Sequence, residues 1–140
     1  MKPYLNTLIY EYEKSNFKWG QLDCGLFVAN ILHSLGAPDL AKEVRGQYSS
    51  DRSALRTFRN KGYYNYIDFI DKNLPGRRIP LENARPKDII FKANNSILKG
   101  YLGICSGPRA YFLTSNSITV YKLEECDLAW STSHLFKKGN

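Results

Sequence analysis

Hydrophobic spacing changes character once along this 140-residue chain, at Pro86, and that change narrows the folds open to it. Before Pro86, apolar residues recur at helical intervals. After it they fall in short runs rich in β-branched and aromatic residues, DIIF, YLGICSG, AYFLT and ITVYKL, separated by Asn, Gly, Pro or Ser. Helices followed by adjacent strands predict an α+β architecture, with N-terminal helices packed on a C-terminal antiparallel sheet. No repeat, low-complexity tract or linker divides the sequence, so residues 1–140 read as a single domain. At 43% hydrophobic content it can build an ordinary core.

The spacing predicts four helices. Pro3 suits a first helical position, and Leu5, Leu8, Ile9 and Tyr12 follow in the pattern of an amphipathic helix of about three turns. A second helix starts near Asp23, turns Phe27, Val28, Ile31 and Leu35 inward and ends at Gly36 before Pro38. Ser50 or Asp51 caps a third that runs to Asn60, with Gly62 beyond it. Tyr66 to Leu74 forms the fourth, closed by Pro75-Gly76. Lys137 to Asn140 have little to anchor them and are expected to fray.

Chemistry concentrates at the start of the second helix, where Asp23 precedes Cys24. A thiol at a helix start meets free amides and the positive end of the dipole, which favour thiolate. Cys24 is therefore the candidate nucleophile, with a buried small residue at a helix start as the alternative. A cysteine nucleophile also needs a base, a group to orient that base, and donors for an oxyanion. Asp23 reads as a helix cap, since adjacent side chains at a helix start diverge.

Only two histidines compete for the role of base. His33 lies nine residues beyond Cys24 on the same helix, on the opposite side and about 13 Å along the axis, and cannot serve. His134, in a polar STSH segment after the last predicted strand, reaches the thiol only if that segment folds back. On the strand YLGIC, alternation puts Tyr101, Gly103 and Cys105 on one face, so that Tyr101 or Cys105 could face Cys24. A phenol with a pKa of about 10 is a poor base at neutral pH.

Other features bound the partners. A net charge of +7 suits an acidic neighbour, and Arg52, Arg56 and Arg59 form one stripe of the third helix, either a solvated face or a docking patch. Tyr48, Tyr63, Tyr64 and Tyr66 add aromatic surface beside that stripe, yet no nucleic-acid motif accompanies them and nucleic acid is not an expected partner. Trp19 and Trp130 are core anchors or walls of a binding groove. Three cysteines, Cys24, Cys105 and Cys126, are an odd count that speaks against a disulfide framework. Their spacing with His134 does not make a zinc site, and no cofactor is implied. No apolar run approaches the roughly 18 residues of a membrane span, and the N-terminus lacks the pattern of a signal peptide.

The segment WGQLDCGLFVANIL, followed by ARPKDIIF and then GYLGICSG, resembles the NlpC-type branch of papain-like cell-wall peptidases. There a DC motif opens the helix, a GD-hydrophobic strand follows, and the next strand begins HVGI. On that pattern Asp23 and Cys24 match the nucleophile motif, Lys87 to Ile90 the first strand and Leu102 to Ile104 the second. Tyr101 falls where the resemblance implies the catalytic histidine, and the third polar residue would fall near Leu113 or Thr114. Nearly the whole chain is also similar to a family of small phage and prophage proteins related in fold to these enzymes. The pattern WGxxDCxLFxA is shared, as are RGxY at Arg45 to Tyr48 and ALR at Ala54 to Arg56. LGIxxGxRAxF at Leu102 to Phe112 and CxxAW at Cys126 to Trp130 complete it. The resemblance implies a papain-like fold and a tail-associated or virion-associated module, made in host cytoplasm, whose partners are other tail proteins or the bacterial cell wall. Binding within the tail is the expected role, since the triad is incomplete. A peptidoglycan endopeptidase or amidase using Cys24, with His134 as an unusual base, is the alternative.

Overall fold

The computed structural model describes residues 4–136, so the expectations for Pro3 and for Lys137 to Asn140 lie outside the described residues. Four helices, α1 (Leu5–Glu11), α2 (Cys24–Ser34), α3 (Asp51–Asn60) and α4 (Tyr66–Asn73), precede every strand. Six strands follow: β1 (Arg78–Ile79), β2 (Ile89–Ala93), β3 (Gly100–Ser106), β4 (Arg109–Thr114), β5 (Ser117–Lys122) and β6 (Leu128–Trp130). They form one sheet in the order β1-β6-β2-β3-β4-β5, every neighbouring pair antiparallel. The α+β layout expected from the sequence is the one observed.

The helix ends follow from side chains competing for free amides. Asp23 accepts from the Leu26 amide at 3.0 Å, Ser50 forms a reciprocal capping box with Ser53, and Asn65 accepts from the Asp68 amide. Gly36 and Gly62 take positive φ just past α2 and α3, where a side chain would be strained. α1 is shorter than its apolar spacing suggests, because after Glu11 the amides of Tyr12 and Glu13 turn back three residues and tighten the chain into turns.

Two short strands escape sequence reading. β6 is the LAW segment, inserted between β1 and β2 with Trp130 paired to Ile89, and β1 has only two residues. Neither is long enough to show a period of two. Their pairing comes from tertiary contact rather than pattern.

The sheet is covered on both faces. Phe27, Ile31 and Leu32 of α2 meet Ile89, Phe91, Leu102, Ile104 and Trp130 in the main core, which α3 and α4 extend through Phe58, Tyr66 and Phe69. Behind the sheet, Ile90, Cys105, Ala110, Phe112, Cys126 and Ala129 form a second cluster, with Leu81 and Leu123 of two single-turn 3-10 helices against it. β2 is thus buried front and back, which explains its unbroken IIF run. Among the described residues no helix is long and apolar enough to cross a membrane.

Candidate functional site

Asp23 organises the site from a fully buried position. One carboxylate oxygen accepts from the Leu26 amide; the other accepts from the Gly20 amide at 3.0 Å and the Tyr48 hydroxyl at 2.7 Å. Gly20 has φ +82, and a Cβ there would run into the Tyr48 carbonyl. The Gly20 carbonyl in turn accepts from the amide of Gly46, and Arg45 pairs with Asp39 at 2.8 Å. WGxxDC and RGxY, far apart in sequence, are therefore two halves of one closure around a buried carboxylate.

Cys24 follows that cap directly and is 2% exposed. Its Sγ donates to the Tyr66 hydroxyl at 3.5 Å, within the looser reach of sulfur, and Tyr66 is itself buried on the first turn of α4. The backbone amides of Leu102 and Gly25 and the Tyr66 hydroxyl favour the thiolate, but burial and the adjacent Asp23 carboxylate outweigh them. The thiol is pushed up to about 12. Burial and the neighbouring Cys24 and Asp23 charges likewise hold the Tyr66 phenol well above its ordinary value. At neutral pH this is a protonated thiol against a protonated phenol.

Beside the thiol lies a cleft of about 200 Å³, bordered by Phe17, Trp19, Cys24, Asn94, Gly100 and Tyr101 among others. Trp19 is half-buried and meets Phe17 edge to face at 5.1 Å. Tyr101 stands on the opposite sheet face from Leu102 and Ile104, its ring 6.3 Å from that of Phe112. It borders the cleft, yet the hydroxyl on the thiol belongs to Tyr66. Cys105 is buried in the second cluster, behind the sheet and away from Cys24.

The structure does not bring His134 to this site. Ile89 pairs with both Ile104 and Trp130, so β6 ends three residues along β3 from Tyr101, about 10 Å of strand. His134 lies beyond that end in a 3-10 turn, Ser133–Phe136, and Thr132 just before it donates through its amide to the buried Asp88 at 3.0 Å. His33 is exposed, with its Nδ1 2.8 Å from the Ala37 carbonyl. Thr114 is buried and shares a hydrogen bond with Thr119 at 2.9 Å.

Two residues of the supposed aromatic surface prove to belong to the interior. Tyr48 and Tyr66 are buried because their hydroxyls end on Asp23 and Cys24, whereas Tyr64 is exposed. Sequence reading missed Tyr66 as the partner of the thiol; the one available signal was a tyrosine at the apolar start of α4. Arg52, Arg56 and Arg59 form an exposed stripe on α3. Trp130 is fully buried, with its indole N–H donating to Asp71 at 2.8 Å. Among the described residues no group of three or more His, Cys, Asp and Glu is placed to hold a metal ion.

A family model described as a domain of unknown function (DUF6950) matches residues 1–132, and the chain belongs to that family. No curated protein matches it.

Proposed function

We propose that this member of the DUF6950 family is a noncatalytic module on a papain-like, NlpC-type fold that binds within a phage or prophage tail. It would be made in host cytoplasm and assembled into the virion. The observation that carries the noncatalytic part is the environment of Cys24: 2% exposed, bonded to a phenol and held protonated to about 12. A hydrolase needs that sulfur as thiolate with a base in reach, and neither histidine of the chain is placed there.

Backbone geometry supports the kinship. Lys87, where the NlpC pattern has the glycine of its GD pair, has φ +83, the conformation glycine adopts most easily. Asp88 beside it is buried and accepts from the amides of Arg85 and Thr132, so the aspartate of that pair serves structure. The exposed arginine stripe and the net charge of +7 suit an acidic partner, either the face of another tail protein or an anionic cell-wall polymer.

The test is fragment release from purified peptidoglycan by the wild-type chain and by Cys24→Ser. No release by either is expected. Release by the wild type that the substitution abolishes would overturn the noncatalytic reading and establish Cys24 as nucleophile.

A further inference from the structure

β5 closes one end of the sheet, and nothing among the described residues pairs with its outer side. The two-residue turn between Thr114 and Ser117 sets which backbone groups face outward. Ser117, Thr119 and Tyr121 exchange hydrogen bonds with β4, leaving the amides and carbonyls of Ile118, Val120 and Lys122 directed away from the sheet. Glu125 closes off the last of these, accepting from the Lys122 amide at 2.8 Å. Ile118 and Val120 keep an open edge of two residues.

The same two residues line a groove. Their side chains point to the face that carries α1, where Ile9, Tyr10, Tyr111 and Glu13 complete a hollow of about 250 Å³. Val120 is 46% exposed and Tyr10 70% exposed, both large apolar groups left in water beside an unpaired strand.

We propose that β5 pairs with β5 of a second copy of this chain, antiparallel about a two-fold axis at Thr119, to make a continuous sheet of two subunits. Only this register uses the open edge fully, because Ile118 of each copy then faces Val120 of the other and exchanges both backbone bonds with it. Side chains agree with the pairing. Ile118 and Val120 of both copies form one apolar strip on the α1 face, flanked by the two Tyr10 rings.

Charge agrees as well. Residues Ser117 to Tyr121 are uncharged, so no like charges meet at the axis. Lys122 of each copy lies on the α1 face at the Asn116–Ser117 end of the other. There the Ser117 hydroxyl donates to the Glu13 carbonyl at 2.7 Å and brings the acidic Glu13 alongside. The interface is independent of what the thiol does.

Sedimentation across a concentration series up to the millimolar range tests this. The wild type should move from 16.1 kDa toward twice that mass, while Val120→Lys, at an exposed edge position, stays at 16.1 kDa with an unchanged thermal melt. Thr119→Cys tests the register, since the two thiols would meet in a non-hydrogen-bonded pair with Cα atoms about 4.5 Å apart, within disulfide range. Oxidation should yield a covalent dimer. A wild type that stays monomeric overturns the proposal and leaves the edge to an extended segment of another protein. A dimer that survives Val120→Lys, or that Thr119→Cys fails to cross-link, overturns it too.

Discussion

At the start of α2, Cys24 shows burial overcoming the helix dipole. The dipole and the Gly25 amide pull Cys24 toward thiolate, but such effects weaken beside the cost of placing a charge in an apolar interior next to a carboxylate. Asp23 tolerates the same burial because three donors converge on it. Its removal is therefore expensive. Asp23→Ala deletes a helix cap and strands the Tyr48 hydroxyl and the Gly20 amide, for an expected loss of about 3 kcal/mol in urea unfolding. A loss below about 1 kcal/mol, that of an ordinary exposed cap, would show that the closure around Asp23 adds nothing.

At the scale of elements, the WGxxDC, RGxY and LGIxxGxRAxF stretches of the chain mark places where backbones come close. Gly20 and Gly46 let the loop before α2 meet the segment before α3. Gly103 lets β3 lie under Phe112, where a Cβ would stand 2.5 Å from the ring and 2.6 Å from the Tyr111 carbonyl. Gly103→Ala should lower stability by about 2 kcal/mol through overpacking between β3 and β4. Gly107, with φ +65 and open space around it, should accept Asn for less than about 1 kcal/mol. Parallel melts of the two variants check this, and equal losses would contradict it. The helices and four of the strands were legible because caps, glycine stops and apolar spacing are local signals. β1 and β6 were not, because strands of two and three residues carry no period and owe their place to partners far along the chain.

Over the whole molecule, the antiparallel insertion of β6 decides which chemistry can assemble. It carries His134 to one end of the sheet while the cleft beside Cys24 opens at the other, near Gly100 and Tyr101. The sequence pointed to Cys24 and Asp23 and to the unusual Tyr101. It did not reveal Tyr66, which lies 42 residues beyond Cys24 and reaches the thiol only because α4 packs against α2 in the core. Nor did it show that Tyr48 belongs to the carboxylate rather than to the basic surface, since a buried and an exposed tyrosine are written with the same letter. Together these placements keep the Cys24 thiol buried and protonated at the start of α2. Site-resolved alkylation of folded protein across pH tests this most directly. Cys24 should stay unmodified through neutral pH and label only as the pH approaches about 12 or the chain unfolds. Rapid, selective labelling governed by a pKa well below the ordinary thiol value of about 8.5 would contradict it.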